Sequence, residues 1–317
     1  MQTYLDFEKP VADLEGKLAE LRALANDDQS DAIDGEITRI ETKAREALGE
    51  VYSNLTPWQK TQVARHPDRP HFSDYIAKLF DEFTPLAGDR RFAEDHAILG
   101  GPARFRGRAV MVIGQEKGSD TEARIKHNFG MARPEGYRKA VRLMEMADRF
   151  GLPIISLVDT AGAYPGIGAE QRGQSEAIAR CTQMSLKVKV PFISIVIGEG
   201  GSGGAVAIAT ASRVLMLEHA IYTVASPEAS ASILWRDSTR AKDAANSMRI
   251  TAQDLEGFGV VDHVIKEPLG GAHRQPVKTV LEVGKAIDEA LKAFDGLDPD
   301  EIAKDRQRKY LEMGRGL

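Results

Sequence analysis

The stretch GEGGSGGAVAIA, Gly198 to Ala209, decides what kind of protein this is. It follows the apolar run VPFISIVI and contains a literal G-x-G-x-x-G in Gly198, Gly200 and Gly203, the pattern with which dinucleotide folds cradle a pyrophosphate. The same glycines suit a second purpose. Where a strand turns into a helix, adjacent glycines let backbone N–H groups converge on one oxygen, and the helix dipole adds partial positive charge there.

One feature weighs against the dinucleotide and another against a phosphate loop. That fold requires a helix, a strand and an acidic residue about 20 positions on, and Glu218, at the end of RVLMLE, does sit at that distance. Yet EHA leads straight into IYTVAS, leaving three residues where a crossover helix must fit before the next parallel strand. A phosphate loop fails sooner, because no G-K-[ST] follows the glycines. An oxyanion hole therefore stands as the preferred reading, with close packing of helix on strand as its bland rival. DTAGAYPGIGAEQRGQ, Asp159 to Gln174, is a second glycine-rich loop between a strand and a helix. Two such loops should lie side by side at the carboxyl ends of neighbouring strands, with the ligand in the crevice between them.

The remaining pattern is that of a soluble α/β protein. The 317 residues are 42% hydrophobic and 28% charged, with net charge -5 and both signs interspersed, so neither nucleic acid nor an anionic membrane is expected as a partner. The single Cys181 excludes a disulfide framework and a cysteine-rich zinc site, and is expected as a helix-packing thiol. MQTYLDFEKP lacks the pattern of a signal peptide, and no apolar run approaches a membrane span; a cytoplasmic location is expected.

Val11, Leu14, Leu18 and Leu21, then Ile33, Ile37, Ile40, Ala44 and Leu48, repeat at helical spacing on either side of the break NDDQSD. They predict a helical hairpin over residues 1–55, either docking a partner or packing on its own domain. Thr56 and Pro57 then cap and start a short helix that stops near Pro67. AILGGPARFRGRAVMVIGQ reads as a hairpin turning near Arg106 to Arg108. PEGYRKAVRLMEMADRFG reads as an amphipathic helix ended by Gly151, with Tyr137, Val141, Met144 and Ala147 on one face. Strand LPIISLVD, helix AEQRGQSEAIARCTQMSL, strand VPFISIVI and helix GAVAIATA alternate thereafter, implying a mostly parallel, buried sheet. A main domain over 56–295 and a helical tail over 296–317 complete the expected division.

DTAGAYPGIGAEQRGQSEAIA, GEGGSGGAVAIA, SPEASASILW and EPLGGAHR, in this order, closely resemble the alpha subunit of the bacterial acetyl-coenzyme A carboxylase carboxyltransferase. The resemblance runs nearly end to end, from LDFEKPVADLE to the last helix. Many relatives have Pro where this chain has Ala161 and Gly where it has Ala229, and neither change removes an N–H of the expected hole. It implies a crotonase-like (ClpP/crotonase) spiral fold with an N-terminal helical hairpin. It also implies carboxyl transfer from carboxybiotin, borne on the biotin carboxyl carrier protein and charged by biotin carboxylase, to acetyl-CoA, giving malonyl-CoA for fatty acid biosynthesis. The beta subunit would bring a zinc ribbon and the acetyl-CoA hole, leaving this chain without a metal. By the same resemblance the amides of Gly203, Gly204 and Ala205 form the hole for the biotin enolate. Gly162, Ala163, Tyr164, Pro165, Gly166, Glu199, Gly200 and Gly201 line the substrate.

Residue chemistry agrees where it speaks. The seven histidines fall in no ligand spacing, and Ser202 has no base placed to activate it; a substrate that supplies its own base needs neither. Glu199 either polarises the loop or satisfies backbone N–H groups, and Tyr164 and Pro165 either wall a pocket or shape a turn. Lys117, Arg124 and Lys126 either meet a phosphate or an acidic carrier surface, or lie on a solvated loop. EPLGGAHR reads as a turn. A free-standing enoyl-CoA hydratase or isomerase would need loop carboxylates, for which only Glu199 and Glu170 are placed. A non-catalytic scaffold using the hairpin is the third reading.

Overall fold

The computed structural model describes residues 3–25 and 31–315, so all but the last residue of the predicted break, Asn26 to Asp31, lies outside them. The first helices are α1 (Lys9–Ala25) and α2 (Asp31–Ser53). Leu14, Leu18 and Leu21 pack on Ile37, Ile40 and Ala44, while Val11 meets Leu48 and Tyr52, as antiparallel helices of this periodicity require. Helix α3 (Pro57–Ala64) starts at Thr56, whose side chain accepts the Gln59 amide in a capping box. Then come α4 (Phe72–Leu79), β1 (Phe80–Asp81), β2 (Ile98–Phe105) and β3 (Arg108–Gln115). The last two form the predicted hairpin, and the positive φ of Arg106 and Gly107 gives its turn the handedness that a twisted strand pair needs.

Helices α5 (Thr121–Lys126) and α6 (Pro134–Phe150) lead to β4 (Ile154–Thr160), α7 (Ile167–Gln171), α8 (Gln174–Lys187), β5 (Phe192–Gly201) and α9 (Ser202–Ala209). The apolar face predicted for α6 is buried. Two expectations fail here. The helix expected over AEQRGQSEAIARCTQMSL is broken, because Gly173 takes φ +80° and Arg172 turns out to bond Glu135 at 2.6 Å. Strand β5 does not end before the glycines but runs through Gly201, buried along its whole length. Cys181 is buried on α8 among apolar neighbours.

The chain closes with β6 (Arg213–Leu217), β7 (Ile221–Thr223), α10 (Pro227–Trp235), α11 (Ala241–Ser247), α12 (Ala252–Gly257), β8 (His263–Ile265), α13 (Pro276–Lys292) and α14 (Pro299–Glu312). The sheet order is β1-β2-β3-β4-β5-β6-β8, antiparallel up to β3 and parallel from β3 onward. Strand β6 pairs with the amino half of β5, Ile193 to Val196, and β7 with its carboxyl end, Glu199 to Gly201. Both thus lie in succession along one edge of β5. That is why the three residues Glu218 to Ala220 suffice between them, and why no crossover helix is needed. Helix α14 is held by the buried Arg306, which donates to the Ser185, Val188 and Val190 carbonyls and to Ser212; burial pushes its guanidinium down to about 10.

EPLGGAHR proves to be more than a turn. Glu267 pairs with the buried Arg69 at 2.9 Å, and Arg274 reaches Glu8 and Glu15 of the N-terminal helices. His273 stacks on His66 with ring centroids 3.8 Å apart, and Tyr52 donates to Glu8 beside His219. Burial, then the neighbouring His66, Arg69 and Arg274, hold His273 down at about 3, and burial also lowers His66 and His219. These imidazoles fold neutral, whereas in the unfolded chain they titrate near ~6.5. The unfolded state therefore binds more protons, and stability falls as pH drops below that value, by up to ~1.4 kcal/mol per pH unit for each His. Glu267 and Asp159 are held at about 2, so their contribution is lost only in stronger acid. The melting temperature is expected to drop measurably between about pH 7 and pH 5, and less so for His273→Gln. Identical pH profiles for the two proteins would refute this assignment.

Candidate active site

The carboxyl ends of β4 and β5 meet over one buried carboxylate. Asp159 accepts the Glu199 amide at 2.9 Å and Lys117 Nζ at 2.7 Å. Burial pulls its carboxyl up, but Lys117 and His71 outweigh burial and hold it at about 2. The Glu199 carboxylate is bound by Arg65 at 2.7 Å, with Lys117 at 3.7 Å, and Arg65 continues to Glu228 of α10 at 2.7 Å. A cavity of about 400 Å³ opens here, walled by Arg65, His71, Lys117, Arg124, Phe129 and Ala161. A larger one of about 870 Å³, among Arg213, Phe258, Asp262, Glu289 and Lys309, is lined by other elements and has no residue of either glycine loop in its wall, whereas Asp159, Ala161 and Glu199 line the smaller one.

After β4 the chain makes a tight loop. Thr160 Oγ1 donates to the Gly162 carbonyl and accepts its amide, and Gln174 Nε2 donates to the Tyr164 carbonyl at 2.9 Å. The Tyr164 ring lies against Gly166, with the Arg133 guanidinium 4.8 Å above it. Pro165 is exposed and Ala163 half-buried. Across from this loop β5 passes into α9 through Ser202, whose φ of +54° marks an abrupt strand-to-helix turn.

The glycines divide by what a side chain would meet. A Cβ on Gly201 would lie 2.2 Å from the Ala161 carbonyl oxygen, and one on Gly204 would lie 2.7 Å from the Gly162 carbonyl carbon. These two let the loops touch, as the packing reading holds. Gly203 is different: its Cβ would meet only Ile178, at 3.3 Å or more, and it is half-buried rather than buried. Gly200 is a β5 residue packed against Tyr222. Ala205 is buried and is the first residue of α9 whose N–H has an intrahelical acceptor, the Gly201 carbonyl, which leaves the amides of Ser202, Gly203 and Gly204 unclaimed by the helix.

This arrangement brings together Gly162 to Gly166 and Glu199 to Ala205 from the two sequence-predicted loops. It leaves Lys126 exposed on α5, and turns Lys117 inward as a partner of Asp159. Sequence reasoning missed Arg65, His71 and Asp159. Only Asp159 carried a signal, as an acidic residue closing a buried strand just before a glycine loop. Glu199 is occupied by Arg65, and Glu170 is exposed on α7, so neither carboxylate is the free base a hydratase needs. Among the described residues no histidine bonds Ser202, no cluster of His, Cys, Asp or Glu suits a metal ion, and no helix is long and apolar enough to cross a membrane.

Residues 4–314 match the family model described as acetyl co-enzyme A carboxylase carboxyltransferase-like. The chain is 65% identical over 317 residues, the whole of both chains, to the acetyl-coenzyme A carboxylase carboxyl transferase subunit alpha of Sinorhizobium fredii, and 65% identical over the same span to that of Xanthobacter autotrophicus. Among solved structures, transcarboxylase 12S superposes with a TM-score of 0.58 at 21% identity, over 71% of this chain and 42% of that one. The beta subunit of P. aeruginosa geranyl-CoA carboxylase gives 0.55 at 16%, over 80% and 45%. These likenesses identify the fold as crotonase-like, and the full-length match in sequence settles the rest: the chain belongs to the acetyl-coenzyme A carboxylase carboxyltransferase family, as a carboxyltransferase subunit of the alpha type.

Proposed function

We propose that this chain supplies the biotin side of a split carboxyltransferase site, and that a beta-type partner supplies the acetyl-CoA side, the product being malonyl-CoA. The observation that carries this reading is the turn at Ser202, where the first amides of α9, at Gly203 and Gly204, are left unclaimed by the helix and Gly204 packs on the Gly162 loop. Amides fixed in this way suit an oxygen on which negative charge develops, each donor contributing roughly 3–4 kcal/mol to lowering the barrier. Carboxybiotin, when delivered by its carrier protein, brings the carboxyl group and, once that is released, the base. The half-buried Gly203 fits such a ring, because no side chain stands between solvent and the amides there. Gly162 to Gly166 wall the other side, and Gly201 and Gly204 let the walls approach. Glu199 serves from behind, locked between Arg65 and Lys117. Mixing the chain with a beta-type subunit and a biotinylated carrier tests the assignment: transfer that requires all three supports it, whereas enoyl thioester hydration by this chain alone would replace it.

The beta-type partner has a surface to meet. Beyond the ends of the parallel strands, Ile167 is 79% exposed, Val224 81%, Ile233 76% and Leu234 65%, a large apolar area for a free surface. Trp235, 36% exposed, is partly covered by the Arg240 guanidinium 4.2 Å above its ring, so Ile233 and Leu234 are the better anchors. Burying one such side chain contributes about 1.5–3 kcal/mol. Leu234→Asp is expected to weaken the complex at least ~10-fold in Kd, and Trp235→Asp less. Unchanged affinity for Leu234→Asp, measured by titration of the purified subunits, would take α10 out of the interface.

A further inference from the structure

We propose that Gln115 is a positioning residue for the oxyanion hole, holding the first turn of α9 against the end of β4; this rests on the reading of the α9 amides given above. Gln115 is fully buried at the end of β3. Backbone pairing of β3 with β4 ends at Gly114 and Leu157, one residue earlier, and the Gln115 side chain continues the connection where the ladder stops. Its Oε1 accepts the Asp159 amide at 3.1 Å, and its Nε2 donates to the Gly204 carbonyl at 2.9 Å. The two ends cannot be exchanged: a reversed amide would set N–H against N–H at Asp159 and oxygen against oxygen at Gly204.

Gly204 is thus gripped by its carbonyl while its N–H is a candidate donor. Little else near the turn can do this. Helix α9 is eight residues long, its cap residue Gly201 has no side chain to close it, and Ser202 is left-handed. The opposite end of the clamp is rigid, since Asp159 is fixed by the Glu199 amide and Lys117. An oxyanion donor acts by being in place before charge develops, and a shift of about 0.5 Å forfeits much of its effect. Gln115 therefore acts on turnover rather than on substrate affinity.

The test uses the assembled complex and the reverse reaction, from malonyl-CoA to biocytin as the acceptor. Gln115→Met keeps the length but leaves the Asp159 amide unpaired and the Gly204 carbonyl with only its helical bond. Gln115→Glu keeps the acceptor and sets a carboxylate oxygen against the Gly204 carbonyl. Gln115→His, neutral, again offers one donor and one acceptor. We expect kcat to fall roughly 10- to 100-fold in the Met and Glu variants, with KM for both substrates within about 3-fold, and to recover to within about 3-fold in the His variant. A Met variant with parental kcat, equal losses in Met and His, or a loss carried by KM would overturn the role. Should the Met variant not assemble, the Glu and His variants decide by the same ratio. Gly203→Val measured alongside separates the two levels. If it abolishes transfer while Gln115→Met does not, only the role of Gln115 falls; if it leaves transfer intact, the hole lies elsewhere and the role falls with it.

Discussion

Purified alone, this chain is expected to form no malonyl-CoA above about 10⁻³ of the rate of the reconstituted complex. The proposed assignment gives this chain one set of donor amides, at Gly203 and Gly204. Transfer to a thioester develops charge on a second oxygen, and a missing donor set costs 10²- to 10³-fold for each donor removed. The isolated chain also leaves Ile167, Val224, Ile233 and Leu234 exposed around the site, so the crevice stays open to water that would compete for the reacting groups. Malonyl-CoA formation, measured with a biotinylated carrier before and after addition of the beta-type subunit, is the check. Robust turnover by the chain alone would end the split-site reading.

Gly203→Val is expected to lower transfer by at least ~10²-fold in a complex that still folds and assembles. Gly204→Val would drive its Cβ to within 2.7–2.8 Å of the Gly162 and Ala163 backbone, so a loss there would report a displaced loop as readily as a lost donor. At Gly203 the added Cβ meets only the Ile178 side chain, at 3.3 Å or more, and φ lies outside the left-handed region. A valine there asks only the Ile178 side chain to give by a few tenths of an ångström, and its added bulk at the first turn of α9 is expected to keep the acceptor ring from the amides. Binding of acetyl-CoA and the melting temperature should change little. Near-normal transfer by the assembled variant would assign these glycines to packing alone.

Local patterns were legible because they rest on local chemistry. Thr56 capping α3, the Arg106–Gly107 turn, the apolar face of α6 and the buried runs of β4 and β5 each follow from a few consecutive residues. So did the pairing of two glycine loops, since strands that alternate with helices bring successive carboxyl ends to one edge. The short EHA link weighed against a dinucleotide fold from sequence alone. Only the tertiary structure explained it, by laying β6 and β7 end to end along β5. It alone distinguished Gly203 from Gly201 and Gly204, because the difference lies in what stands opposite each one, not in the residue itself. The ion chain from Arg65 through Glu199 and Lys117 to Asp159, and the clamp from Gln115 to Gly204, join residues 40 to 134 positions apart. Such contacts leave no periodic trace in the chain. They exist because folding removes these charges and amides from water and obliges each one to find a partner.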